Sequence, residues 1–279
     1  MKLSTAILHS FGYFILAAAV ISALFPFYWT LITSFKSNVE LSYSPPSAFP
    51  VNGQWDAYLD MLFKRDFTRL LINGAIVCSV TALISVSVGT FMSYSLSKLN
   101  LSRKIVSNVL MYVLSLRMFP PMVMVLPWFV IMLTLHLVNN ILALIITYVS
   151  FNMPFVVWVM KGFFEGVPKD FEEAAMIDGL SRFRAFLRIT VPIVLPAIFT
   201  TMIFVFIFSW QEFLYALIFT NTPVSQTATI GVFGAISKWE IAWAKIAAAG
   251  VLASIPVIVF MLLVRKYLVR GMTFGVVKG

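Results

Sequence analysis

Residues 192–219 read PIVLPAIFTTMIFVFIFSWQEFLYALIF, a run whose single formal charge is Glu212. A bilayer core needs roughly 20 apolar residues to cross as a helix, and this run exceeds that length. Its apolar residues are continuous rather than alternating. In lipid each backbone polar group has to be paired internally, so a continuous run of this kind is a helix. Five further runs reach the same length, at about 9–33, 70–96, 105–133, 139–160 and 247–268. The chain therefore reads as an all-α integral membrane protein with six transmembrane helices, organised as a single transmembrane domain over 1–279.

Composition points the same way. Hydrophobic residues make up 61% of the chain and charged residues 11%, against about 25% charged in a soluble domain. The first run exceeds the length of a signal-peptide core and ends in Pro26-Phe27-Tyr28-Trp29 without a small-residue cleavage site, so it reads as a retained helix. Cys78 is the one cysteine and lies in an apolar run, which leaves no disulfide and no thiolate metal site within the chain. His9 and His136 are isolated and read as interfacial residues. No catalytic residue, metal-ligand set or cofactor site emerges.

Orientation follows from the basic residues. One side holds Lys2, Lys98, Arg103, Lys104, Lys161, Lys169, Arg182, Arg184, Arg188, Arg265, Lys266, Arg270 and Lys278. The other holds Lys36, Lys64, Arg65, Arg69, Lys238 and Lys245. The richer side is cytoplasmic by this rule, which puts both termini in the cytoplasm. The net charge of +9 is thus mainly topological, and no nucleic-acid partner is needed to explain it. Between the first two runs, residues 35–69 hold a turn-rich stretch, Ser44-Pro45-Pro46-Ser47, followed by Trp55, Tyr58, Leu59 and Leu62 at the spacing of a short surface helix. No internal repeat suggests two inverted halves.

The most charged loop lies at about 162–191, between the fourth and fifth runs. Pro168 suits the first position of a helix, the acids Asp170, Glu172 and Glu173 suit its first turn, and Gly179 suits the left-handed residue that ends it. The expected helix, Pro168 to Asp178, presents Ala174 and Ala175 as a small-side-chain patch beside Phe171 and Ile177. Ser181 then caps a second piece expected to lie along the headgroups, with Arg182, Arg184 and Arg188 near lipid phosphates, before Pro192 opens the fifth run.

Glu173-Ala174-Ala175, Gly179, Ile189 and Pro192 together resemble the EAA loop of binding-protein-dependent ABC transporter permeases, with Val191 where leucine is usual. Trp210-Gln211-Glu212-Phe213 is similar to the Trp-Asn-Glu/Asp-Phe segment of carbohydrate-uptake permeases of the maltose-transporter, MalG-like family, with Gln211 departing from the usual asparagine. The tail at about 269–279, ending Val277-Lys278-Gly279, is similar to the glycine-rich end of the same family. The resemblance implies a type I ABC importer transmembrane domain in the cytoplasmic (inner) membrane that moves a sugar or small oligosaccharide. It implies that Glu173, Ala174, Ala175, Asp178, Gly179, Ile189 and Pro192 couple to an ATPase, and that Gly275, Lys278 and Gly279 touch it as well. The implied partners are a second permease subunit that is a different chain, an ABC ATPase dimer and an extracytoplasmic solute-binding protein. ATP and Mg would sit on the ATPase subunits, since this chain has no Gly-x-x-x-x-Gly-Lys-Ser/Thr phosphate loop.

Arg117 and Glu212 are the formal charges placed near membrane depth, where each costs at least about 2.5 kcal/mol unless paired or hydrated. Both are expected to face protein or water, and their opposite charges make them candidates to pair with each other. Pro120, Pro121 and Pro127 break the third run. Arg117, Asn152, Trp210, Gln211 and Glu212 form the candidate translocation path, with Tyr148, Trp128 and Trp158 as further groups that can bond or stack on a sugar. Two other classes stay open. An ion-gradient-coupled secondary transporter would use Glu212 and Arg117 as a relay. A membrane-embedded enzyme would need an HExxH motif, paired intramembrane aspartates or a Ser/His pair, and none is present.

Overall fold

The computed structural model describes residues 2–235 and 242–273, with side chains over 11–235 and 242–263. Among the described residues regular structure is helical throughout: α1 (Lys2–Thr33), α2 (Asn38–Leu41), α3 (Asp56–Leu59), α4 (Phe67–Lys98), α5 (Arg103–Met118), α6 (Pro121–Thr134), α7 (Ile141–Glu165), α8 (Asp170–Ile177), α9 (Arg182–Ala185), α10 (Val191–Trp210), α11 (Leu214–Phe219), α12 (Ala228–Phe233) and α13 (Trp243–Thr273). Single π turns follow α3 at Asp60–Lys64 and α9 at Phe186–Thr190. Five of the described helical stretches are long and apolar enough to cross a membrane, and six if α5 and α6 form one broken span. The chain divides into two compact units, one of residues 1–67 with 231–254 and one of 68–230 with 255–279.

The third run is not a kinked rod. α5 and α6 meet at 91°, because Phe119 (ψ 130°) and Pro120 (ψ 134°) are extended. Each of these residues precedes a proline, whose ring clashes with a helical predecessor. The prolines therefore act as a corner at 119–120, while Pro127 is absorbed inside α6. The fifth run also ends early. α10 stops at Trp210, and the chain restarts as α11 after a break at 211–213. Toward the other end of α10, the expected separate headgroup helix does not form. Residues 182–210 run through the π turn as one helical stretch, with Pro192 just past that turn as the second residue of α10.

In the larger unit, α4 and α7 run close together. Gly89, Ser93 and Ser97 make a small-residue stripe on α4, and a Cβ at Gly89 would lie 2.4 Å from Val156 Cγ1. Ser93 Oγ donates to the Val157 carbonyl at 3.0 Å. Small residues at such a crossing let backbones approach where no hydrophobic force acts between helices in lipid. A second core gathers Val77 of α4, Val125 and Met132 of α6, Leu144 and Tyr148 of α7, and Tyr215 and Phe219 of α11.

In the smaller unit the segment before α4 is held by ions and capping. Ser37 and Glu40 form a reciprocal capping box on α2. Glu40 Oε1 also accepts from the Val51 and Asn52 amides at 2.7 and 3.0 Å. Burial alone would raise the Glu40 carboxyl, but those amides, the Ser37 amide and nearby Lys36 hold it below the usual carboxylate value. Asp60 meets Lys245 at 3.0 Å and Arg65 at 3.3 Å. Those cations outweigh burial and likewise depress its carboxyl. The expected short helix is present as α3 and its π turn: Ala57, Tyr58 and Met61 face the protein, and Trp55 and Leu59 are exposed. Ala57 and Met61, four residues apart, share the inward face.

Candidate functional site

Between α7 and α10 the chain makes a short helix and a tight reversal. α8 starts at Asp170, two residues later than expected; Pro168 lies outside it, and the Lys169 carbonyl takes the Glu172 and Glu173 amides at 3.0 and 3.1 Å. At the other end Gly179 has φ +90°. Its N–H donates to the Met176 carbonyl at 3.1 Å and the Leu180 N–H to that of Ala175 at 3.0 Å. This is a Schellman closure, which needs a residue free to adopt positive φ. Ser181 Oγ caps the next turn by accepting from the Arg184 N–H at 3.4 Å.

The two faces of α8 differ sharply. Phe171, Glu173, Ala174, Ile177 and Asp178 are exposed, with Ile177 at 85%. Glu172 and Ala175, three residues apart, turn inward. Ala174 and Ala175 therefore do not form one patch; only Ala174 joins Phe171 and Ile177. Further along, Gly179 and Pro192 are exposed and Ile189 is half-buried. Gly275, Lys278 and Gly279 lie outside the described residues.

Glu172 is the group that sequence reading passed over. Its Oε2 accepts from the Tyr94 hydroxyl at 2.9 Å, and its Oε1 accepts from the Thr190 hydroxyl. Lys98 Nζ donates to the Val167 carbonyl, just ahead of α8. The Tyr94 ring packs on Phe186 with centroids 4.3 Å apart and on Phe164 at 5.8 Å. The adjacent acids Glu172 and Glu173 look alike in sequence, and it is Glu172 that finds Tyr94 and Thr190 on the inward side.

At membrane depth the candidate path residues separate into two places. Glu212 is half-buried; its Oε2 accepts from the Tyr148 hydroxyl at 2.6 Å, and its two oxygens accept from the Tyr215 and Ala216 amides at 3.0 and 3.3 Å. It caps α11 with its own side chain. Asn152 is fully buried, donating to the Tyr148 carbonyl at 2.8 Å and to Ser209 Oγ at 3.1 Å. Trp210 is also buried, its ring 3.2 Å from where a Gly74 Cβ would stand, whereas Gln211 is exposed. Arg117 is exposed and lies over the Phe155 and Phe208 rings, 5.3 and 5.5 Å from their centroids. Among the described residues Arg117 and Glu212 form no ion pair with each other. The expected pairing fails because α11 amides and Tyr148 already take the carboxyl. Trp158 is exposed and Trp128 half-buried. No group of three or more His, Cys, Asp or Glu able to hold a metal occurs among the described residues.

The α7–α10 hairpin and the capped break after Trp210 are both contained in a longer match. Residues 85–274 match the family described as binding-protein-dependent transport system inner membrane component. The chain belongs to this family. The permease is 34% identical over 263 residues to the trehalose/maltose transport system permease protein MalG of Thermococcus litoralis, covering 93% of each chain. It is 32% identical to the sulfoquinovosyl glycerol transport system permease protein SmoH of Agrobacterium fabrum, over 93% of this chain and 90% of that one. In fold it is similar to a chain of a bacterial ABC transporter involved in the import of the acidic polysaccharide alginate. That likeness has a TM-score of 0.74 and 21% identity, over 95% of this chain and 98% of the other. The permease is thus a multi-pass inner-membrane transport component of the ABC importer type.

Sequence reading also missed a clamp at one end of the larger unit. Asn139, at φ +63°, presents Oδ1 to the Asn221 and Thr222 amides at 3.0 Å and to Ser225 Oγ at 2.7 Å. Asn73 Nδ2 donates to the carbonyls of Pro223, Val224 and Gln226 at 3.0–3.1 Å. Asn139 has its partners more than eighty residues along the chain, so they leave no local trace in sequence.

Proposed function

We propose that this permease is one of two transmembrane subunits of an importer for a sugar or small oligosaccharide, driven by ATP hydrolysis on a separate ATPase dimer. The observation that carries the reading is the two-faced α8: an apolar and acidic outer face, Phe171, Glu173, Ala174 and Ile177, on a helix fixed from within. Short helices that offer such a face fit a groove on a partner protein. Glu173, Ala174, Asp178 and Gly179 shape that contact, Ala175 closes the turn beneath it, and Ile189 and Pro192 set the base of α10. Gly275, Lys278 and Gly279 make a second contact with the ATPase pair. ATP and Mg belong to that partner, and this chain performs no catalysis.

The sugar class rests on relatives whose names specify trehalose/maltose and sulfoquinovosyl glycerol transport. Both termini face the cytoplasm by the distribution of basic residues. A solute-binding protein delivers substrate on the opposite side, where the clamped loop at 221–227 stands ready to meet it. The direct test replaces Ile177 with Cys in the assembled complex and seeks a cross-link to cysteines placed in the ATPase groove; Cys78 is buried and adds no background. A cross-link at 177 and none at inward-facing 175 is expected. Equal cross-linking at both, or at neither, refutes docking through this face.

A further inference from the structure

We propose that Glu172 is a positioning residue that carries movement of α8 into α4 and α10, so that the docking helix acts as a rigid part of the membrane bundle. The inference rests on the docking of α8 proposed above. Three observations carry it. Glu172 is 7% exposed, although its neighbours Phe171 and Glu173 face outward. Its two carboxyl oxygens are divided between two different membrane helices, Tyr94 near the end of α4 and Thr190 in the π turn that leads into α10. The same junction is closed by Lys98, which holds the backbone at Val167, and by the rings of Tyr94, Phe164 and Phe186.

Without Glu172, α8 would keep its flanking loops and the packing of buried Ala175 beside the π turn, but no side-chain bond to α4 or α10. Loops absorb displacement; a buried carboxyl that bridges two helices does not. A carboxyl with both oxygens committed fixes distance and angle together, and removing it leaves two buried hydroxyls without their acceptor. The π turn sets Thr190 where it reaches the carboxyl, in keeping with the frequent occurrence of such turns at functional positions. Coupling between sites needs a contiguous physical element that both sites bias, and this junction is one.

The experiment uses the whole complex with Mg-ATP and vanadate as the probe, and follows backbone hydrogen exchange with and without it. In the unmodified complex the trapped state should change exchange at α8 and, at least fivefold, at residues 90–97 and 187–190. In Glu172→Ala the response should persist at α8 but fall below twofold at the other two segments. Glu172→Gln should restore it to within twofold, because an amide can accept from one hydroxyl and donate to the other. A purely architectural residue would instead raise exchange equally in both states and leave the nucleotide response in place. Should Glu172→Ala fail to assemble, the pair Tyr94→Phe with Thr190→Val removes the same two bonds while keeping shape. An undiminished response at 90–97 and 187–190 in either variant overturns the proposal. No response at α8 in the unmodified complex would instead defeat the docking reading.

Discussion

Gly179 holds φ +90° with nothing within 4 Å of where its Cβ would be, so the demand on this residue is purely a backbone one. Left-handed backbone costs an L-residue roughly 1–2 kcal/mol, less for asparagine and more for a β-branched side chain. Uptake by the reconstituted complex is expected to fall in the order Gly179, Asn, Ala, Val while membrane insertion is unchanged. Equal uptake by the Val variant would show that the turn is not needed. Glu40 yields a pH prediction. Its carboxyl is depressed on folding, so its contribution is fully present above the unfolded value of about 4.3 and is lost as pH falls through the lower folded value. Proteolysis within 42–54 should accelerate over that acid range, and Glu40→Gln should flatten the dependence. Arg117 and Glu212 have separate partners, so Arg117→Met and Glu212→Gln should destabilise the purified complex additively, within about 0.5 kcal/mol. A larger coupling in thermal unfolding would mean that they interact. Gly179 was legible in sequence because a glycine after an acidic, alanine-rich turn has one common use. Glu172 was not, because two adjacent acids differ only in what lies beside them after folding.

At the scale of elements, long apolar runs declared themselves and their ends did not. Pro120-Pro121 announces a break, yet the angle of 91° depends on where α6 finds its core, in Val125 and Met132 against α7 and α11. The end of α10 at Trp210 was hidden because the residues beyond it, Phe213 to Phe219, are as apolar as those before. What starts the chain again as α11 is the Glu212 side chain accepting from the Tyr215 and Ala216 amides. The clamp on 221–225 is set by a single oxygen of Asn139. A carbonyl oxygen has two lone pairs, so about two of its contacts act at full strength, for a net of roughly 1–3 kcal/mol. Asn139→Gly keeps the positive φ and removes only those bonds. Proteolysis at 221–227 should speed up markedly in this variant with α7 intact, and an unchanged rate would show that Asn73 alone holds the loop.

For the whole molecule, the membrane class followed from composition and the family from a few fixed positions in one loop. Neither depends on detailed packing, which is why both were legible. The larger proposal is a division of labour within a complex, in which this chain would supply the passage and the docking helix and a separate ATPase the energy. An ion-coupled carrier would need no other subunit, and its proposed relay lacks the Arg117–Glu212 contact. The measurement that separates the two is uptake of labelled trehalose, maltose and sulfoquinovosyl glycerol into proteoliposomes, with either the full complex or this chain alone. Uptake of at least one sugar is predicted only with the full complex and enclosed Mg-ATP, and is abolished when the ATPase phosphate-loop lysine is replaced. Uptake by this chain alone, driven by a proton or sodium gradient, would contradict the account.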